Sequence, residues 1–162
     1  MHPIAILQLL VLLSVANGAP VVAKKLLGGA GAWPLDGGTR FVDGRPLFGS
    51  SKTIRGIVIS VVLTTAAAPL LGLTFLTGAI VGLMAMAGDL FSSFMKRRLD
   101  RPSSSRATGL DQIPEALFPF VACRFALSLT WADIIVGVAV FFAGEVLFSL
   151  LFYRLGLRDQ PY

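Results

Sequence analysis

The chain has 162 residues, 55% of them hydrophobic and 14% charged, with a net charge of +5. An average soluble domain carries about 25% charged residues, and the mean hydropathy here is +0.78. A soluble globular protein is excluded, and an all-α integral membrane protein forming one domain over residues 1–162 is expected.

The first apolar segment, residues 3–23, invites two readings. MHPIAILQLLVLLSVANGAP ends in Ala16-Asn17-Gly18, a small-residue pattern that suits signal cleavage. Its n-region lacks Lys and Arg, however, and the apolar run continues to Lys24-Lys25, which favours a retained helix. The connection that follows, residues 24–53, contains WPLDGGTRFVDGRPLFGSSK. Its glycines punctuate Arg40, Arg45, Lys52 and, just beyond, Arg55. Glycine lets backbone wrap closely around a phosphate, and guanidinium forks bind it bidentately. Gly44 and Gly49 have P-loop spacing, but Ser50 stands where the lysine belongs and no strand precedes it, so a Walker-type site is rejected. A phosphate-binding loop and a plain solvated basic loop both remain.

Further membrane segments are read at residues 54–71, 75–95, 113–129 and 134–153, five in all, since a bilayer takes about 20 residues of helix. Connections 70–74 and 130–133 are tight and make antiparallel hairpins. The connection at 96–112 carries Lys96, Arg97, Arg98, Arg101 and Arg106, with Pro102 and three serines marking irregular backbone. Together with Arg154 and Arg158, 13 of the 14 basic residues fall on one side of the membrane. The positive-inside rule then puts the N-terminus outside, the C-terminus in the cytoplasm and both long loops in the cytoplasm. Such a face attracts nucleotides, lipid phosphates or anionic headgroups.

Asp89 is the only ionisable group in residues 75–95. On a helix it shares a stripe with Gly78, Gly82, Ala85, Ser93 and Lys96, with Ser92 at the edge. Small residues at this spacing let backbones approach, so Asp89 faces other helices. An ionisable group at membrane depth costs about 2.5–3.5 kcal/mol on insertion scales and usually marks a polar site. A buried aspartate satisfied by its neighbours is the plainer alternative. With one histidine, His2, and one cysteine, Cys123, a histidine-based triad, a histidine-rich zinc site and a disulfide framework are excluded. Any metal is then a hard cation, with magnesium the default, held by Asp89 and by Asp111 at the fourth segment's entrance. Asp111 is equally placed to cap that helix.

Gly88-Asp89, Ser92-Ser93, Lys96-Arg97, Gly109 and Asp111-Gln112, preceded by Lys52-Thr53 and Arg55-Gly56, resemble the archaeal CDP-archaeol synthases, relatives of phosphatidate cytidylyltransferases. In that family's pattern a second aspartate follows Asp111 by three residues. Here Pro114 occupies the position and Glu115 follows it. The resemblance implies a cell-membrane enzyme that joins CTP to a glycerol phosphate carrying two isoprenoid ether chains, giving CDP-archaeol and pyrophosphate. Asp89, Lys96 and Asp111 would serve catalysis, with magnesium on the two aspartates. Lys52, Thr53, Arg55, Ser92, Ser93, Arg97, Arg40 and Arg45 would bind substrate. The implied partners are CTP, the lipid phosphate and the bilayer, not nucleic acid.

A transporter or lipid-binding protein with Asp89 as ion-coupling site is the competing class, although the repeats of many transporters are not visible. Arg98, Arg101 and Arg158 are expected to matter little beyond topology. Arg124 and Glu145, at depths of roughly 17 and 12 Å if their segments are helical throughout, are expected to form an ion pair joining the last two helices. The rival is that one of them reaches the polar cavity around Asp89.

Overall fold

The structure, a computed structural model, describes residues 1–103, 105 and 107–154, residues 149–154 by backbone alone. Arg106 and Arg158 lie outside the described residues, as does the side chain of Arg154. The described chain forms five α-helices: α1 (Pro3–Leu27), α2 (Ile54–Ala67, continued by a 3-10 turn over Ala68–Leu71), α3 (Phe75–Arg98), α4 (Gln112–Ala122) and α5 (Trp131–Arg154). Among the described residues, extended pairing is limited to two isolated β-bridges in the α1–α2 connection.

Local chemistry sets the boundaries. Pro3 begins α1, where its missing N–H has no partner to lose. Thr53 and Thr74 cap α2 and α3, each hydroxyl accepting an amide three residues on at 3.1 Å. Gly72, at φ 76°, closes the 3-10 turn. Thr130 and Asp133 form a reciprocal capping box. Asp133 Oδ2 accepts from Thr130 N at 2.9 Å while Thr130 Oγ1 accepts from Asp133 N at 3.2 Å. That box starts α5 at Trp131, three residues before the expected boundary.

Among the described residues, four helices are long and apolar enough to cross a membrane: Pro3–Leu27, Ile54–Leu71, Phe75–Arg98 and Trp131–Phe148. Their outward faces are apolar, with Leu7, Val62, Leu83, Ile135 and Leu147 all exposed. The expected fourth helix over 113–129 is corrected. Helix α4 has 11 residues, roughly 16 Å of rise against a hydrocarbon core of about 30 Å. The chain leaves the helix where Arg124 turns to stack on Trp131, and Ser128 adopts φ 53°. Residues 112–129 nonetheless run the length of the bundle. Asp111 pairs with Lys96 at one end, and Asp133 binds His2, just before α1, at the other.

Helix α3 is central, packing on α1, α2 and α4, while α5 lies against α4 and α1. The close approaches are made at glycine. A β-carbon on Gly78 would meet Ala68 Cβ at 2.6 Å, and one on Gly88 would meet the Pro114 carbonyl oxygen at 2.3 Å. The second contact brings α4 against the α3 turn that carries Asp89. Gly88→Ala should therefore separate α3 from α4 and destabilise the protein by about 1–3 kcal/mol, the usual overpacking range. Thermal unfolding in detergent measures this, and an unchanged midpoint would refute the contact.

Candidate functional site

Lys52 is brought to α3 by the backbone of the first connection. Leu35 N donates to Lys52 O at 2.8 Å, Ile54 N donates to Trp33 O at 3.1 Å, and Pro34 bridges Thr53. This places Lys52 Nζ on both carboxylate oxygens of Asp89, at 2.6 and 2.5 Å. A second pair lies at the α3 terminus. Lys96 Nζ meets Asp111 Oδ1 at 2.7 Å and donates to Ser105 O at 2.8 Å. The Asp111 side chain makes no cap for α4; its other oxygen accepts from Ala107 N at 2.9 Å. The helix-cap reading of Asp111 is thereby set aside for an ion pair. Ser92 joins α3 to the α4 entrance by donating to Gly88 O at 3.0 Å and Leu110 O at 2.6 Å.

The connections at 34–50 and 97–103 enclose a cavity of about 670 Å³ lined by Arg40, Arg45, Arg97 and Arg101 among others. That volume suits a small molecule of nucleotide size, and four guanidinium groups suit an anionic one. Arg97 Nε is buried with no partner among the described residues, although Nη2 donates to Pro102 O at 2.7 Å. Arg45 donates to Arg98 O at 2.6 Å and pairs with Asp100 at 3.4 Å. Gly49, at φ 93°, passes close to Ser103 and Arg97; a side chain there would be both strained and obstructed.

Some expected site residues have structural partners instead. Arg55 donates to the carbonyls of Ala30 and Gly28, beyond the end of α1, and Thr53 caps α2. Ser93 is buried within α3. Arg98, expected to matter little, packs on the edge-to-face pair of Phe41 and Phe94, 4.8 Å from each ring centroid. It also pairs with Asp43 at 2.8 Å and donates to Pro46 O at 2.6 Å. It is the clamp that fastens the 39–47 turn to α3. Arg124 stacks 4.2 Å over Trp131, and no Arg124–Glu145 ion pair forms among the described residues. Glu145 and Asp89 both lie within electrostatic reach of Glu115.

Asp36 has no place in the sequence-based site, yet it organises the cavity wall. Its carboxylate accepts the amides of Gly38, Phe48 and Gly49, each at 3.0 Å. Burial pushes the Asp36 carboxyl up, but those three amides outweigh it and hold the group below its ordinary value. The Asp36-Gly37-Gly38 sequence was a legible signal for such an Asx turn.

Fold and site together define an intramembrane protein with an anion-attracting pocket at one end of an all-helical bundle. The family model for CarS-like proteins, described as CDP-archaeol synthase, matches residues 4–162. A CDP-archaeol synthase of Pyrobaculum arsenaticum is 39% identical, over 91% of this chain and 92% of its own length. One of Thermococcus onnurineus is 35% identical, over 91% and 89%. A solved structure described as an intramembrane enzyme for archaeal membrane lipids biosynthesis superposes with a TM-score of 0.74 at 30% identity, covering 86% of this chain and 89% of that one. The chain belongs to the CDP-archaeol synthase family.

Asp36 supplies a test of the cavity wall. Its folded pKa lies below the unfolded one, so its contribution to stability is present above about pH 4 and is lost as pH falls through the folded value. Asp36→Ala should speed hydrogen exchange of the Phe48 and Gly49 amides by about tenfold or more at neutral pH, leaving α3 amides unchanged. Equal protection in the variant would show that the wall stands without Asp36.

Proposed function

We propose that the protein transfers the cytidylyl group of CTP to a glycerol phosphate carrying two geranylgeranyl ether chains, forming CDP-archaeol and pyrophosphate in archaeal phospholipid biosynthesis. The observation that carries this reading is the pocket of arginines flanked by the Lys52–Asp89 and Lys96–Asp111 pairs, in a chain of the CDP-archaeol synthase family. A lipid phosphate monoester is mostly dianionic at neutral pH, its second pKa being about 6, so it can attack without a general base. Its oxygen forms a bond to the α-phosphorus of CTP as the bond from that phosphorus to the leaving pyrophosphate oxygen breaks. The protein's task is alignment and charge neutralisation. Arg40, Arg45 and Arg97 receive the nucleotide phosphates, while Lys52 and Lys96 are the cations nearest the reacting groups. Arg55, Thr53, Ser92 and Ser93 act at one remove, through the backbone and packing that hold those lysines.

The donor set fits magnesium. Asp89 and Asp111 offer hard oxygen ligands, and among the described residues no three His, Cys, Asp or Glu side chains are placed to hold a metal ion. Magnesium is commonly held by one or two carboxylates together with substrate phosphates, not by an all-protein cage. Bound there by Asp89 and Asp111, it would supply charge neutralisation to the CTP phosphates.

The membrane placement follows the charge. The Lys96 end, which carries both long connections, faces the cytoplasm, with the N-terminus outside and the C-terminus inside. Residues 112–129 then make the fifth crossing, part helix and part turn. A carrier needs an opening at the other end. There His2 N donates to Asp133 Oδ1 at 2.8 Å and the His2 ring meets Oδ2 at 2.9 Å, tying α1 to α5.

Purified protein given labelled CTP, magnesium and a panel of lipid phosphates should form CDP-archaeol and pyrophosphate. Asp89→Asn and Asp111→Asn should each lower turnover by about a hundredfold or more while the protein still folds, the scale expected when charge stabilisation at a reacting phosphate is lost. If Asp111→Asn lowers thermal stability alone, its role is confined to holding Lys96 and the Ala107 amide.

A further inference from the structure

Helix α4 gives way after Ala122 to a turn with its own hydrogen bonds: Leu127 N donates to Cys123 O at 3.0 Å and Leu129 N to Arg124 O at 2.8 Å. The turn sets Arg124 beside the start of α5. Its guanidinium carbon lies 4.2 Å from the Trp131 ring centroid and 5.4 Å from that of Phe125, within cation–π range of both. Stacking uses the face of a guanidinium and leaves its N–H donors at the edge. Among the described residues those donors have no hydrogen-bond or ion-pair partner. Asp133, the carboxylate in the first turn of α5, is fully buried and already accepts from His2 and Thr130. Trp131 is 55% exposed and Phe125 87%, so both rings keep open apolar surface. Trp131 also opens the 18-residue apolar span Trp131–Phe148. That length rises about 27 Å, close to a hydrocarbon core of roughly 30 Å. Phe75, likewise exposed, opens α3 at the same end. Aromatic side chains gather where hydrocarbon meets headgroups, and Arg124 is the basic residue that the sequence sets apart from the other 13.

We propose that Arg124, held against Trp131 and flanked by Phe125, binds the phosphate of a membrane lipid in the leaflet at this end of the bundle. A phosphodiester headgroup offers two free anionic oxygens, which match the paired N–H edge of a guanidinium. The lipid's chains then cover the exposed faces of the two rings. A free phosphate ion supplies the same oxygens but leaves those rings bare, so the lipid is the occupant that satisfies both features. Lysine would fit less well, having neither a planar face to stack nor a forked edge. The Lys52–Asp89 and Lys96–Asp111 pairs lie toward the opposite end. The proposal therefore holds with or without the transferase reading, and on whichever side of the membrane the Trp131 end lies. A plain clasp, in which Arg124 only fastens its turn to α5, would set thermal stability and show no choice among lipids.

The full chain in bilayers carries its own reporter, because Trp131 is one of two tryptophans. The other, Trp33, is exposed in the first connection, and Trp33→Phe removes it. Bilayers are made of equal parts phosphatidylglycerol and monoglucosyl diacylglycerol, with one lipid or the other brominated in its chains. Bromine quenches only at short range, so Trp131 fluorescence reads which lipid sits beside it. The phosphate-bearing lipid should be preferred by about fivefold, the scale of one basic side chain at an anionic surface. Arg124→Gln should bring the preference to about one, and Arg124→Lys should leave it in between. A preference near one in the Trp33→Phe protein would overturn the proposal, as would Arg124→Gln keeping the full preference. Excess inorganic phosphate at matched ionic strength should change nothing; a lost preference would assign the edge to a free ion and overturn the lipid reading. Sedimentation showing a dimer that Arg124→Gln dissociates would give the face to a second copy and overturn it too. If Arg124→Gln fails to fold, the Trp33→Phe preference and Arg124→Lys decide.

Discussion

A carboxylate placed inside an apolar helix must find a cation, and the rest of this structure is arranged so that Asp89 finds Lys52. The lysine comes from outside the bundle. To deliver it, the first connection folds back along itself, pairing Leu35 with Lys52 and Trp33 with Ile54, and Thr53 immediately starts α2. The pair is partly exposed, at 21% for Lys52 and 22% for Asp89, so solvent weakens the attraction and its direct contribution to stability is modest. Its larger effect is geometric, since it fixes where a mobile-looking glycine-rich stretch sits relative to α3.

The Lys96–Asp111 pair does the same for the second connection, holding Ser105 and Asp111 against the α3 terminus. Once both connections are anchored, the arginines between them converge on one cavity. Arg98 cannot serve that cavity directly, because its guanidinium is engaged by two aromatic rings, Asp43 and backbone carbonyls. Arg97 retains an unpartnered Nε beside Gly49. The cavity's four arginines outnumber its two carboxylates, Asp36 and Asp100, so net positive charge is gathered between the two connections.

Much of this was legible in the sequence because membranes impose simple rules. Apolar length gave the long helices, including the starts of α2 and α3 at Ile54 and Phe75, and an aspartate on a glycine stripe marked the inward face of α3. Partner assignment was less legible. Arg55 and Arg98 look alike on a charge count, yet one holds carbonyls beyond α1 and the other clamps a turn. The α4 region was over-extended because residues 113–129 are mostly apolar despite Glu115 and Arg124, and hydropathy does not register where a helix gives way to turn. That error propagated to Arg124. Its depth was counted along a helix that ends at Ala122, whereas the guanidinium sits on Trp131 at the far end of the bundle. Asn17 was hidden inside a plausible cleavage pattern, and only the meeting of α1 with α4 reveals its partner, Glu115.

The central claim is that Lys52 and Asp89 form a chemical site and not just an electrostatic staple. A charge-swapped double variant, Lys52→Asp with Asp89→Lys, separates the two, since it preserves opposite charges across the same contact while inverting what each side offers a phosphate or a cation. Measured together for thermal stability and CDP-lipid formation, the swapped protein should unfold within a few degrees of wild type and be essentially inactive. Turnover restored to near the wild-type rate would contradict the account, for it would show that the pair contributes only its attraction.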